Sequence, residues 1–100
     1  MIAITVAYPS GTKMNTDYYY GSHVPMVENT LTNYGLRSSE VRKIVGTPTG
    51  DPAPYQIITT LYFENMQAFS SAMASDAGRH VLADIKNFFE GMPEIMIGEV

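Results

Sequence analysis

Hydrophobic and polar positions alternate most clearly in two segments, and both predict β-strands. The first, Ile2 to Tyr8, alternates large and small side chains, is rich in β-branched residues, and is followed by turn-forming residues. The second, Tyr55 to Phe63, divides its side chains between two faces: Tyr55, Ile57, Thr59, Leu61 and Phe63 on one, and Ile58, Thr60 and Tyr62 on the other. Because these two strands are the most apolar in the chain, we expect them at the centre of a sheet.

A helical pattern follows the first strand. At helical spacing, five side chains fall on one stripe that should face the protein interior: Tyr19, His23, Val27, Leu31 and Tyr34. Residues 15–17 offer three N-capping side chains, of which Asp17 is the preferred cap. Pro25 lacks an amide donor and crowds the preceding turn, so we predict a bend or irregular turn over residues 21–25, with His23 inside it.

Shorter patterns predict the remaining elements. A strand is expected from Ser39 to Gly46, with Val41 and Val45 on one face, and a stiff proline-rich loop over residues 47–54. Two helices come next. The first is capped by Asn65 and presents Met66, Phe69 and Met73 inward; the second runs from Asp76 to Lys86 with Val81, Ile85 and Phe88 or Phe89 inward. The chain closes with a strand from Ile95 to Val100.

The order of these elements predicts an α+β fold of the ferredoxin-like type, βαββαβ, in a single domain spanning residues 1–100. Right-handed crossovers place the first and third strands at the centre of a four-stranded antiparallel sheet with both helices on one face. Ile58 and Tyr62 then project from the opposite face. An apolar patch of that kind is typical of an interface, so we expect a homodimer.

Composition narrows the classes of function. The net charge is −4 and the six cationic residues are scattered, so we expect no nucleic-acid partner. No basic amphipathic stretch and no apolar run of about 18 residues is present, so we expect no membrane partner. The absence of cysteine excludes a thiolate nucleophile and iron–sulfur ligation by this chain. No secretory leader is visible, so the expected location is the cytoplasm. Two histidines far apart in sequence predict no metal site.

Several motifs together resemble the EthD-like family. They are the run from Asp17 through Tyr20 followed by His23-Val24-Pro25-Met26-Val27, the Pro54-Tyr55 start and Leu61-Tyr62-Phe63 end of the long strand, and Ala83-Asp84-Ile85-Lys86-Asn87-Phe88. The resemblance covers nearly the whole chain. It implies a dimeric α+β barrel, in which two ferredoxin-like sheets pack face to face. It also implies a role in ether degradation or in the tailoring of aromatic polyketides, where family members are often labelled reductases or dehydratases.

His23 is the central candidate for chemistry, with two interpretations open. As a core histidine it would donate to a backbone carbonyl freed by Pro25. As a pocket residue it would act as an acid, a base or a donor to a substrate oxygen. In the second case Tyr19 would hold a developing oxyanion. Asp84 is four residues after His80, so it either forms an exposed pair with that histidine or reaches toward the pocket.

The functional hypothesis is a small apolar pocket that binds a small hydrophobic or aromatic ligand. The expected catalytic residues are His23 and Tyr19, and the expected ligand-binding residues are Tyr18, Met26, Val27, Asp84 and Phe88. These groups suit proton transfer without a cofactor, in an oxidoreductase or a lyase. The alternative is a non-catalytic binding or accessory protein of a degradation pathway. His23 should be buried, and no carboxylate lies within one helical turn of it on its stripe. Burial without a counter-charge disfavours imidazolium, so we predict that the pKa of His23 is below 6.5, unless Asp17 or Asp84 folds back against the ring.

Overall fold

The computed structural model describes all 100 residues. Four strands form one antiparallel sheet: β1 Ile2–Pro9, β2 Leu36–Lys43, β3 Tyr55–Phe63 and β4 Glu94–Glu99. The strand order is β2-β3-β1-β4, so β1 and β3 are central as predicted. The helices are α1 Thr16–Tyr18, a π-helical turn Tyr19–His23, α2 Val24–Leu31, α3 Met66–Ala74 and α4 Asp76–Asp84, with 3-10 turns at Thr32–Tyr34 and Ile85–Asn87. The predicted α+β, ferredoxin-like order is confirmed.

The core lies between the helices and one face of the sheet, in two clusters. The first is aliphatic and contains Ile2, Ile4, Val27, Leu31, Leu36, Phe63, Ala72 and Val81. The second is largely aromatic and contains Tyr8, Tyr19, Ile57, Ile85, Phe88 and Phe89. Each large apolar side chain that is fully buried contributes about 1.5–3 kcal/mol of transfer free energy. Tyr19 and Phe88 of the second cluster pack on the His23 ring, so this histidine sits at the aromatic end of the core.

Strand β2 is displaced from its predicted position. It begins at Leu36 because Gly35, with φ of 95°, ends the preceding turn and reverses the chain at once. It ends at Lys43, so Val45, which was predicted to share a strand face with Val41, lies beyond the strand and is 93% exposed. A register shift between Leu36 and Ser38 places Ser39 and Val41 on the face toward the helices. Strand β4 is one residue earlier than predicted at each end.

The helix predictions need three corrections. Asn15, not Asp17, caps α1: its side-chain oxygen accepts a hydrogen bond from the Tyr18 amide at 3.1 Å. Tyr34 leaves the buried stripe because α2 ends at Leu31 and the chain continues as a 3-10 turn. In α3, Met66 is exposed, and the smaller Ala72 is the residue buried against the sheet.

The sheet face opposite the helices carries no helix. Ile58 and Tyr62 are half-buried there, and Met96 of β4 is 51% exposed on the same face. No helix in this protein has the length and apolar character required to cross a bilayer.

Candidate functional site

A π-helical turn carries the first two residues of the site. In this turn the amide of Val24 donates to the carbonyl of Tyr19, five residues earlier, rather than four as in an α-helix. Pro25 follows at the start of α2, where its missing amide is tolerated. The widened turn buries both Tyr19 and His23, with exposed fractions of 1% and 5%. The predicted irregularity near His23 is therefore a single π-helical turn.

Asp84, at the end of α4, is the hydrogen-bonding centre of the site. Its Oδ2 lies 2.9 Å from Nδ1 of His23. Its Oδ1 accepts hydrogen bonds from the Tyr18 hydroxyl at 2.7 Å and from the side-chain Nδ2 of Asn87 at 2.9 Å. The backbone fixes this arrangement, because the amide of Asn15 donates to the carbonyl of Phe88 at 2.8 Å and so ties the start of α1 to the segment after α4.

The pKa directions of the two partners describe one protonation state. Burial lowers the pKa of His23 below its ordinary 6.5, and the hydrogen bond to Asp84 and its charge counteract this only in part. Burial opposes ionisation of Asp84, but the hydrogen bonds from His23, Tyr18 and Asn87 outweigh it and hold the pKa of this carboxyl below its usual value. At neutral pH a neutral imidazole therefore donates its Nδ1–H to a carboxylate, since an ionised carboxylate only accepts.

An apolar cavity of about 70 Å³ lies between the helices and the sheet, beside this pair. All but four of its lining residues are hydrophobic, and the four are His23, Glu28, Ser39 and Thr59. Nδ1 of His23 is engaged by Asp84, and Nε2 has no hydrogen-bond partner in the protein. No buried side-chain nitrogen or oxygen is left without a partner, so Nε2, which has none, is not fully enclosed. His23 is also one of the residues that line the apolar cavity.

Two tyrosines, Tyr8 and Tyr19, line the cavity, and Tyr19 contacts His23. The Tyr19 hydroxyl shares a hydrogen bond with Oγ1 of Thr59, and its ring stacks on the imidazole with centroids 5.7 Å apart. Tyr8 packs edge-on against Tyr19, with ring centroids 5.4 Å apart. Burial raises the pKa of Tyr19 to about 12, and burial with the neighbouring Tyr19 raises the pKa of Tyr8 far above its usual range. Both phenols stay protonated at neutral pH and can serve only as neutral hydrogen-bond donors or acceptors.

The structure separates the predicted site residues into three groups. His23, Tyr19 and Val27 line the cavity. Tyr18, Asp84 and Phe88 lie behind the imidazole: Tyr18 and Asp84 form the hydrogen-bonded cluster, and the Phe88 ring packs on His23 with centroids 4.5 Å apart. These three do not line the cavity and support His23 from behind, and their role as ligand-binding residues stays a prediction. Met26 also lies off the cavity and packs against the aliphatic core cluster.

Two interpretations offered by the sequence are settled by these contacts. The Nδ1 atom of His23 bonds to Asp84 rather than to a backbone carbonyl. Asp84 is 9% exposed and makes no hydrogen bond to His80, so the exposed i, i+4 pair is not formed.

Sequence reasoning missed Tyr8, Thr59 and Asn87. Tyr8 and Thr59 line the cavity, and Asn87 bonds to Asp84. For two of them a signal was present, because the alternation of β1 and β3 puts Tyr8 and Thr59 on the same faces as Ile4 and Phe63. Asn87 gave no signal beyond its position three residues after Asp84.

Comparison with known proteins gives the context of this site. A protein described only as an uncharacterized 11.0 kDa protein in the thcB–thcC intergenic region of Rhodococcus erythropolis is 28% identical over 93 residues, covering 91% of this chain and 86% of its own. The crystal structure of an EthD-like protein from Ralstonia eutropha JMP134 has a TM-score of 0.85 at 28% identity, covering 99% of this chain and 90% of the other.

The same fold occurs at much lower sequence identity. SnoaB from Streptomyces nogalater, a cofactor-independent oxygenase, has a TM-score of 0.67 at 8% identity, covering 99% of this chain and 90% of its own. The model of the EthD domain family matches residues 14–91, which include the π-helical turn, the cavity-lining helices and Asp84. This protein therefore belongs to the EthD domain family.

Proposed function

We propose that this protein is an enzyme that removes a proton from a small aromatic or polyketide-like substrate, with His23 as the general base. One observation carries the proposal: a neutral histidine, held at Nδ1 by the buried carboxylate of Asp84, lines an apolar cavity and has an Nε2 without a protein partner. A base with a pKa near or below neutral is already deprotonated at physiological pH, as general-base catalysis requires.

The proposed step transfers a proton from a carbon next to a substrate carbonyl to Nε2 of His23. The electron pair of the broken C–H bond moves to the carbonyl oxygen and gives an enolate. The imidazolium that forms is stabilised by Asp84, whose Oδ2 is 2.9 Å from Nδ1. The Tyr19 hydroxyl, which meets Thr59 at the cavity wall, is the proposed donor to the enolate oxygen. Its raised pKa keeps that proton in place at neutral pH.

The chemistry after proton removal depends on the substrate. An enolate or phenolate in such a cavity can proceed to oxygenation, dehydration or cyclisation. SnoaB, described as a cofactor-independent oxygenase, shares only the fold, and it supports the proposal to the extent that this scaffold can accommodate such a reaction. The competing hypothesis is a non-catalytic binding or accessory protein, in which His23 serves only as a hydrogen-bonding group for the ligand.

We also infer that the protein is a homodimer formed through the sheet face that the helices do not cover. On that face the small residues Ala3, Thr5 and Ala7 of β1 lie between larger ones, with Tyr62 opposite Ala3, Ile58 opposite Ala7 and Met96 opposite Thr5. A chain of 100 residues has little apolar surface to leave in water. Packing of two such faces would produce the dimeric α+β barrel that the family resemblance implies.

Deuterium exchange into 2-tetralone tests the proton transfer without knowledge of the natural substrate. This bicyclic aromatic ketone carries acidic C–H bonds next to its carbonyl, and ¹H NMR in D₂O follows their loss. We expect the wild-type protein to accelerate exchange and His23→Ala to lower the rate by about 10²-fold or more. The control is His80→Ala, because His80 is exposed and makes no side-chain hydrogen bond. Binding of 2-tetralone without accelerated exchange would favour the binding protein instead.

A further inference from the structure

The cavity has two separate polar regions. His23 and Thr59 lie at one, together with the Tyr19 hydroxyl that meets Thr59. Glu28 and Ser39 form the other, and every other lining residue is hydrophobic. The proton-transfer proposal uses the first region and gives no role to the second.

The side chains of Glu28 and Ser39 bond to each other and to no other side chain. The Ser39 hydroxyl donates to Oε2 of Glu28 at 2.8 Å, which links α2 to β2. Oε1 of Glu28 has no hydrogen-bond partner and the residue forms no salt bridge. The two arginines of β2 pair with other acids, Arg37 with Glu64 and Arg42 with Glu40. The carboxyl group of Glu28 thus stands at the exposed edge of an apolar cavity with one oxygen free to accept a hydrogen bond.

The sheet register sets the separation of the two regions. Thr59 of β3 is opposite Val41 of β2, and Ser39 is two residues from Val41 on the same face. Thr59 and Ser39 are therefore diagonal neighbours on adjacent strands, and the backbone positions of such residues are about 7–8 Å apart. The wall between them is formed by the aliphatic side chains of Val41 and Leu61. The cavity therefore presents hydrogen-bonding groups at two points with an apolar surface between them.

We propose that Glu28 and Ser39 form a distal subsite that binds a hydroxyl group at the far end of a flat aromatic ligand. The ligand class is a fused bicyclic aromatic with a carbonyl or phenolic oxygen at the end near His23 and a hydroxyl at the other end, since two fused rings span a distance comparable to the separation of the regions. The cavity of about 70 Å³ is partly open to solvent, so only part of such a ligand is enclosed. The subsite selects a hydrogen-bond donor, and it disfavours a ligand carboxylate, which the Glu28 charge repels. This inference rests on the proposed function for the end of the ligand nearest His23.

Binding of matched naphthols tests the subsite independently of turnover. Isothermal titration compares 2,6-dihydroxynaphthalene, which has both hydroxyls, with 2-naphthol, which has one. We expect Glu28→Ala to weaken binding of the diol by about fivefold or more and to change 2-naphthol by less than about twofold. Ser39→Ala should act in the same direction but more weakly, since it removes only the group that orients Glu28. The control is Glu90→Ala, an exposed acid outside the cavity with no side-chain hydrogen bond or salt bridge.

The charge of the subsite gives a second readout. Wild-type protein should bind 6-hydroxy-2-naphthoic acid less tightly than the diol, and Glu28→Ala should reduce that difference. Equal weakening of the diol and 2-naphthol by Glu28→Ala, no weakening of either, or no binding of either compound by the wild type would each overturn the subsite. If the wild-type protein does not accelerate exchange of 2-tetralone, but Glu28→Ala still weakens the diol more than 2-naphthol, the proton-transfer function alone is refuted.

Discussion

Oδ2 of Asp84 lies 2.9 Å from Nδ1 of His23, although the two residues are 61 positions apart in the chain. This contact joins the end of α4 to the π-helical turn and sets the tautomer of the imidazole. With Nδ1 donating to the carboxylate, the lone pair of Nε2 is left for the cavity. A histidine that the sequence alone would leave without a counter-charge is in fact paired, and its predicted low pKa results from burial outweighing that pairing.

Replacing Asp84 with Asn should disable the base while preserving the shape of the side chain. The amide cannot stabilise an imidazolium, and it can turn its NH₂ group toward the ring and favour the wrong tautomer. We expect exchange of 2-tetralone to fall by about 10²-fold. The pKa of His23 should fall further, because the charge and hydrogen bond of Asp84 act to raise it. Kinetics and ¹⁵N NMR of His23 measure the two effects.

Asp17→Asn is the matched control for that variant, because Asp17 is an exposed acid in the first turn of α1 with no side-chain hydrogen bond. If Asp84→Asn melts at the wild-type temperature, keeps the His23 tautomer and retains full exchange activity, the carboxylate has no part in catalysis.

Removing the Tyr18 hydroxyl should act on His23 through Asp84. Tyr18→Phe deletes the 2.7 Å hydrogen bond to Oδ1, which is one of the bonds that lower the pKa of Asp84. The Asp84 pKa should rise, and the less stabilised carboxylate should in turn raise the pKa of His23. Titration by ¹³C and ¹⁵N NMR measures both. Tyr20→Phe is the control, since Tyr20 is 43% exposed and its hydroxyl makes no hydrogen bond. Unchanged titration in Tyr18→Phe would leave that hydroxyl with no influence on the pair.

The sheet and the irregular turn that carries His23 were predictable from the sequence, whereas the hydrogen-bond partner of His23 was left open. Strands β1 and β3 follow from local alternation, and the irregular turn at His23 follows from Pro25. The pairing with Asp84 depends on how α4 packs against the π-helical turn, and no local pattern encodes a contact over 61 positions. The displacement of β2 has the same kind of cause, because the reversal at Gly35 and the register shift after Leu36 depend on pairing with β3.

Replacing Ile58 with Asp should disrupt the proposed dimer. Ile58 lies on the sheet face that no helix covers, and a charge at the centre of an apolar interface has no partner there. A stable interface of this type should bury more than about 1,200 Å² in total. Sedimentation at micromolar concentration should show a dimer for the wild type, and monomer or aggregate for the variant. Val45→Asp, at a site that is 93% exposed in the loop after β2, should leave the dimer intact. A wild-type monomer would refute the dimer.

The buried pair also predicts how stability depends on pH. The pKa of His23 is lower in the folded protein than the 6.5 of the unfolded chain, so the unfolded state takes up a proton first as the pH falls. The contribution of His23 to the free energy of unfolding is therefore fully present above pH 6.5. It declines as the pH falls from that value through the folded-state pKa of His23. Asp84, whose pKa is also lowered on folding, contributes a second loss that begins below its ordinary value of 3.8.

Thermal melting across pH 4.5 to 8 isolates the histidine contribution. The difference in melting temperature between pH 7.5 and pH 5 should be smaller in His23→Gln than in the wild type, because glutamine does not titrate. His80→Gln should keep the wild-type difference, since His80 is exposed. In the exchange assay the rate should rise with pH through a value below 6.5 and then level off, as expected for a base that must be neutral. An NMR titration that placed the His23 pKa above 7 would reverse the sign of the stability change and make imidazolium, an acid, the reacting form.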